Sequence, residues 1–352
     1  MSLVCCLAVL IAGLAGCGGA KAPEAALRVN EAADVDTELF TYFLSMQYYG
    51  GEAVGDAEKV EAATADCLAY LAVNTRFVGM GLALSQEDKA EVSLETDSLW
   101  RLYGGYLSAL GVSKQTYFKV RQYLRMRENL EYALYDKDGV SPISDSYLRE
   151  YFLQNYVGIK YFYEELYPEY TEQQLAALSD GQLKSLNERM NYAAERYQYI
   201  SDLATYVNSG IYTIDQAYMA VTENVSENVS VETTVVSRGD TNFTREFITA
   251  VFKQASGSAF LVTNNSKSYV YFVQRVDLFS EGTDLFDAYR DQCLQAVADA
   301  YLTQDVADWV SSYKAVRYAS ATDQCLDRVK RVDRAAYIGT DAYEFKPLDG
   351  LT

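Results

Sequence analysis

Apolar side chains recur along the first part of this chain at intervals of three and four, the spacing of one helix face. After a short extended piece, the stretch beginning at Arg28 predicts a helix that Asp34 or Asp36 can cap, with Leu39, Phe40, Phe43 and Leu44 on its apolar side. The paired Gly50-Gly51 leads to a second helix around Asp56 to Leu71. Ser85 and Asp88 have the spacing of a capping box, Gly111 is a stop, and Ser113 opens a helix striped by Tyr117, Val120, Leu124 and Leu134. Ser144 caps one more.

At residue 158 the period shortens. "GIKYFYEEL" is aromatic and alternating, the pattern of a strand. A long helix follows, with Leu183, Leu186, Met190, Ala193, Tyr197, Ile200, Ala204 and Val207 at helical spacing, and "IYTIDQAYMAV" predicts a short second one. "VSVETTVVSRG" reads as a strand ending at Gly239, and "TREFITAVFKQA" as a helix with Phe247, Val251 and Phe252 on one side. "SAFLVTNNSKSYVYFVQRVDLF" gives two strands joined around Asn264-Asn265. An amphipathic helix from about Thr283 to Ser311 turns Phe286, Tyr289, Cys293, Val297, Ala300 and Trp309 inward, and beyond it the pattern is weak.

The fold class is therefore α+β, with a mainly helical lobe over 28–157, a β-α-α-β-α-β-β lobe over 158–280, a returning helix in 281–318 and a tail over 319–352. Neither the helical segment nor the last helix buries its stripe alone, so residues 283–311 are expected to pack on the helical lobe. The strand at 158–166 is expected beside 269–278 in an antiparallel or mixed sheet.

One run stands outside both periods. Leu3 to Ala15 is uncharged, apolar or small, and ends at Gly16-Cys17. As a helix it rises only about 20 Å, short of a ~30 Å hydrocarbon core, so a cleaved export signal fits better than a span. Leu14-Ala15-Gly16-Cys17 resembles the bacterial lipobox, in which the thiol takes a diacylglyceryl group and the chain is cut just before it. Two acyl chains, at about 0.8 kcal/mol per buried CH2, anchor stably where one does not. Cys17 is thus the candidate lipidation site, with 1–16 as signal peptide, 17–27 as tether, and an extracytoplasmic, lipid-anchored location at a bacterial membrane as the expectation. A plain secretory signal is the alternative.

Composition narrows the chemistry. With 49 acidic against 30 basic residues the net charge is −19, which argues against nucleic acid as a partner. Thirty-one tyrosines against fourteen phenylalanines supply apolar bodies with polar tips. Cys67, Cys293 and Cys325, the cysteines beyond Cys17, are too few for a disulfide framework; they read as buried thiols, with one pair left open. There is no histidine, which removes Ser-His-Asp and Cys-His nucleophilic systems and histidine-ligated zinc. "DKDG" at 136–139 lacks the remaining ligands of a calcium loop. No metal, cofactor or catalytic residue is assigned.

The order of elements, with "RVNEAADVDTELF", "GVSKQTYFKVRQYLRMRENL", "ISDSYLREYFLQNY" and above all "REFITAVFKQASGSAFLVTNNSKSYVYFVQRVD", resembles the extracytoplasmic foldase and chaperone lipoproteins of the PrsA and SurA type. The last stretch is similar to the family pattern through Phe247, Ala250, Phe252, Gly257, Ser258, Val262, Thr263, Tyr269 and Val276. The resemblance implies a helical chaperone lobe built from both chain ends and an inserted parvulin-like prolyl isomerase domain. Active parvulins carry a histidine in the first strand and another in the last. Here the first strand offers Tyr161, Phe162 and Tyr163, Val270 stands at the second position, and Ser268 replaces the motif's glycine. Phe247 falls where the family lines its proline pocket, with Phe243 nearby. The implied peptide-binding set is Tyr161, Tyr163, Phe243, Phe247 and Val270. The implied function is a membrane-anchored chaperone binding unfolded or extended exported polypeptides, its isomerase domain inactive. An active prolyl isomerase, in which Tyr161, Tyr163 or Tyr271 replaces the missing polar network, and an envelope scaffold protein stay open.

Overall fold

A computed structural model describes residues 25–48, 54–223, 230–264, 266–279 and 284–337. Cys17 and its lipobox lie outside these residues. The chain is α+β and divides into two compact units, one formed by residues up to Ile143 together with those from Leu294 onward, the other by Ser144–Cys293.

The first unit opens with a feature that the periodicity reduces to a short extended piece. Strands β1 (Ala25–Val29) and β2 (Ala33–Asp36) form an antiparallel hairpin, turned through Asn30 and Glu31, both at positive φ. Asp36 then caps α1 (Thr37–Met46), its carboxylate accepting the Leu39 N–H at 2.8 Å, so of the two candidate caps it is the one used. Leu39, Phe40, Phe43 and Leu44 are all buried. Around them pack α2 (Asp56–Gly79), α3 (Gln86–Ala109) and α4 (Lys114–Tyr135). The capping box at Ser85 and Asp88 forms as its spacing predicts, and Ser113 accepts from the Thr116 N–H to cap α4. Gly111 takes φ +76°, a conformation that L side chains rarely adopt, and the Arg328 guanidinium lies against it.

The C-terminal half completes this unit. Helix α10 (Phe286–Val310) begins in the second unit and ends in the first. In the first, Asp299 and Thr303 receive Arg127 Nη2 at 2.5 and 2.9 Å, Asp305 accepts the Tyr135 hydroxyl at 2.7 Å, and the Arg76 guanidinium lies over the Trp309 ring. Residues 294–310 thus pack on the helical lobe, whereas Phe286 and Tyr289, expected there with them, pack in the second unit against Phe152. The stretch with the weak pattern is structured well past residue 318. Strand β7 (Ala315–Arg317) pairs antiparallel with β1, and α11 (Ala319–Arg331) buries Ala321, Thr322, Cys325 and Val329 with α1 in the core. Its buried face carries only small or single apolar residues, Ala321, Thr322, Cys325 and Val329, among charged ones, so no run of large apolar side chains marks it.

The second unit starts with α5 (Asp145–Asn155), capped by Ser144, and a four-stranded sheet. The strands are β3 (Tyr156–Glu165), β4 (Thr233–Ser237), β5 (Ala259–Thr263) and β6 (Tyr269–Val276), in the order β4-β3-β6-β5 and antiparallel throughout. β3 and β6 pair along the expected segments, from Gly158 opposite Val276 to Glu165 opposite Tyr269. A Cβ on Gly158 would lie 2.8 Å from a Val276 methyl, which explains glycine at that crossing. The short α6 (Glu172–Ala176), absent from the predicted order, precedes α7 (Asp180–Asn208) and α8 (Ile214–Thr222). Along α7 the predicted stripe is buried or half-buried except at Met190, which is exposed. Between β4 and β5 lies α9 (Arg245–Lys253), capped by Thr244.

Within the second unit the two ends meet. Arg290 Nε donates to Asp145 at 2.8 Å, Arg149 pairs with Asp284 at 2.8 Å, and Phe152 is ringed by Tyr156, Phe279, Phe286 and Tyr289. Among the described residues Cys67, Cys293 and Cys325 are buried and form no disulfide. Among the described residues no helix is long and apolar enough to cross a membrane.

Candidate peptide-binding surface

Strand parity assigns each side chain of the four-stranded sheet to one of two faces. The face carrying Phe162, Val270 and Phe272 is covered by α7 and α8, through Ile200, Leu203, Val207, Ile214 and Ala217. The other carries Val157, Ile159, Val236 and Val273 beneath Phe247, Ile248 and Val251 of α9. Helix α9 has only nine residues, so it covers part of this face and leaves the remainder to aromatic rings.

Those rings form a connected array. Phe243 stacks on Phe247 at 4.4 Å between centroids, nearly parallel, and Tyr161 meets Phe243 edge-on at 5.3 Å. Tyr271 meets Phe247 edge-on at 5.1 Å and lies 5.9 Å from Tyr163, its cross-strand partner, while Tyr269 stands edge-on to Tyr271. Exposure is graded across the array. Phe247 is 1% exposed, Tyr161, Phe243 and Tyr271 are half-buried, and Tyr163 is 66% exposed. Offset and edge-on pairs of this kind contribute about 0.5–1.5 kcal/mol each beyond area burial. The array is therefore firm at its base and open at its rim. Burial first, then the neighbouring Tyr269, Tyr161 and Tyr163, holds the Tyr271 phenol above the ordinary tyrosine range, so it stays a neutral donor at physiological pH.

Four of the five residues singled out from the sequence, Tyr161, Tyr163, Phe243 and Phe247, come together here. Val270 does not. It pairs with Glu164, points to the Phe162 face and is 1% exposed in the core under α7 and α8, because one step along a strand reverses the side chain. Tyr271, its neighbour, occupies the place in the array. The signal was available in the parity of β6, where 269, 271 and 273 share a face opposite Phe272. Phe260 and Val262 of β5, on the same face, were also missed.

The hairpin that carries β5 and β6 is fixed by polar side chains. Asn264 Oδ1 accepts the Ser268 N–H at 3.0 Å, and the buried Ser268 hydroxyl donates to Glu169 at 2.8 Å. Ser268 thus ties the turn to the segment after β3. At the C-terminal end of α9, the half-buried Arg275 donates through Nη1 to the Gln254 carbonyl at 2.6 Å, and its Nε has no acceptor.

No family model matches the sequence, and no curated protein matches it. Among the solved structures that match are foldase proteins of the PrsA type. That from Lactococcus lactis is 13% identical, with 87% of this chain and 99% of that chain covered and a TM-score of 0.35. That from Streptococcus pneumoniae is 11% identical, covering 91% and 97%, with a TM-score of 0.33. For PrsA from Bacillus subtilis the values are 12%, 79%, 86% and 0.26. At these scores none of the three assigns a role to a residue of this chain.

Proposed function

We propose that the chain is an extracytoplasmic chaperone, held to a bacterial membrane through acylated Cys17, that grips extended apolar segments of exported polypeptides on the ring array of its second unit. One observation carries this reading. Tyr161, Tyr163, Phe243 and Tyr271 leave an open aromatic rim on a buried Phe247, where the sheet face runs out from under α9. Ring faces and edges accept many side chains, while the phenols bond exposed peptide groups, so such a surface holds without strong sequence preference.

Holding is distinct from turnover. Rotating a prolyl bond means stabilising a twisted amide against a barrier of about 20 kcal/mol, which requires contacts made only in that geometry. The array offers rings and neutral phenols, and the sequence holds no imidazole. The expected activity is suppression of client aggregation with little acceleration of prolyl isomerisation.

Light scattering of an aggregating client with the purified mature chain tests this reading. Protection should weaken in Tyr163→Ala, whose side chain is too exposed to matter for folding. Undiminished protection in Tyr163→Ala combined with Tyr271→Ala would remove the array from the function. Substantial acceleration in a proline-peptide assay, lost in Tyr271→Phe, would favour the isomerase reading through the crowded phenols. The anchor is tested separately: Cys17→Ser should leave an uncut precursor or release the protein from the membrane fraction, and normal cutting with retention would refute acylation.

A further inference from the structure

We infer that the groove between the turn at 238–241 and α9 binds acidic side chains of an extended polypeptide, next to the ring array and continuous with it through Phe243. The groove is about 740 Å³ and is lined by Arg238, Arg245 and Lys253, with Phe243, Ile248 and Phe252 among them. Asp240 also lines it, and its carboxylate already accepts the Asn242 N–H at 2.8 Å. The inference rests on the reading of the ring array as a polypeptide surface, because Phe243 belongs to both.

Three cations on one groove run against the bias of a chain with net charge −19. Five arginines elsewhere that are at least partly buried are paired with acids: Arg121 with Glu95, Arg125 with Glu91, Arg127 with Asp299, Arg196 with Glu164 and Arg290 with Asp145. Among the described residues, Arg238, Arg245 and Lys253 have no carboxylate partner. Folding gives no reason for Arg245 in particular. As the first residue of α9 it sits at the positive end of the helix dipole, which disfavours a cation. Arg238 is held in place, with Nε on the Gln154 carbonyl at 3.1 Å and the guanidinium plane over the Phe252 ring at 4.3 Å. Its Nη donors remain for an anion.

The spacing selects a polypeptide over a phosphate polymer. Eight residues of helix separate Arg245 from Lys253, roughly 12 Å, or about four residues of an extended chain. The half-buried Phe252 lies beside them in the groove, so the matching ligand has acidic residues about four apart with an apolar one in between. A uniformly anionic polymer would meet the cations and leave the apolar step unused.

The experiment uses the mature chain and two labelled peptides of one apolar sequence, one with glutamates four residues apart and one with glutamines in their place. Fluorescence anisotropy should show the glutamate peptide binding about tenfold tighter at low salt, as two exposed ion pairs would give. That advantage should vanish in Arg245→Glu combined with Lys253→Glu and at ~0.5 M salt, with the glutamine peptide unaffected by the substitutions. Circular dichroism of the double variant establishes that it is folded. Equal binding of the two peptides to the unaltered chain overturns the groove and leaves the ring array standing, whereas binding of neither overturns both. Inorganic polyphosphate binding more tightly than the glutamate peptide, and losing that binding in the double variant, would give the groove to a phosphate polymer and overturn the polypeptide assignment.

Discussion

Asp66 on α2 accepts one hydrogen bond, from the Gln47 amide at 2.7 Å, and burial pushes its carboxyl up to about 7. An unfolded aspartate titrates near ~3.9, so the folded chain takes up a proton between those two values. The contribution of Asp66 is therefore fully present below ~4 and is lost as pH rises through about 7. Urea midpoints should fall between pH 5 and pH 8, and less steeply in Asp66→Asn, which should exceed the unaltered chain in stability at pH 8; parallel slopes would contradict this. Glu131, pushed up to about 7 by burial despite Arg127 at 3.7 Å, acts with the same sign. In the second unit, Phe247→Ala should cost ~3–5 kcal/mol, the value for a buried aromatic, and Tyr163→Ala no more than about 0.5. That contrast, read from denaturation midpoints, tests which ring is the base and which the rim. Phe243 stands just before the Thr244 cap and Phe247 in the first turn of α9, close enough in sequence for their rings to meet. The sequence does not show Val270 and Tyr271 apart until the strand is counted residue by residue, because a motif match tolerates the single step that a pleated strand does not.

Elements with strong punctuation were legible. The capping box at Ser85, the Ser113 and Ser144 caps and the Gly111 stop place their helices, because each satisfies backbone N–H groups or a positive φ that few other residues can. Asp36→Ala should cost about 1 kcal/mol by removing the bond to the Leu39 N–H. Elements whose stability comes from distant partners were not legible. The β1–β2 hairpin and β7 are three to five residues long and exist as a sheet only because they meet. Helix α11 has a narrow stripe that makes sense only against α1. Truncation after Tyr318 should therefore destabilise the first unit, with a lower urea midpoint and faster amide exchange in α1; unchanged exchange there would mean that α11 is dispensable. The basic groove was missed for a related reason. Arg238 and Arg245 read as ordinary loop and helix charges until the structure brings them to one groove with no ion pair to either.

At the scale of the whole molecule, the first unit is discontinuous and the second is not. Val29 pairs with Ala315, the Tyr318 N–H reaches the Ala26 carbonyl at 2.9 Å, and Lys330 pairs with Asp56 at 2.6 Å, all across more than two hundred residues. Residues 144–293, by contrast, contain their own core and the ion pair that closes their ends. A fragment of 144–293 should fold alone with a cooperative thermal transition, and a fragment of 25–143 should not; the reverse result would overturn this division. The Arg290–Asp145 pair has a further consequence in time. A chain made from its N-terminus presents α1 to α4 long before the residues that complete their core. Joining segments separated by some 150 unordered residues costs about 4 kcal/mol of closure entropy. Once the second unit has folded, its joined ends have already met that cost, and β7 and α11 arrive as neighbours of β1 and α1. The inserted unit would then act as the clasp of its own host, whose core stays incomplete until β7 and α11 have been made.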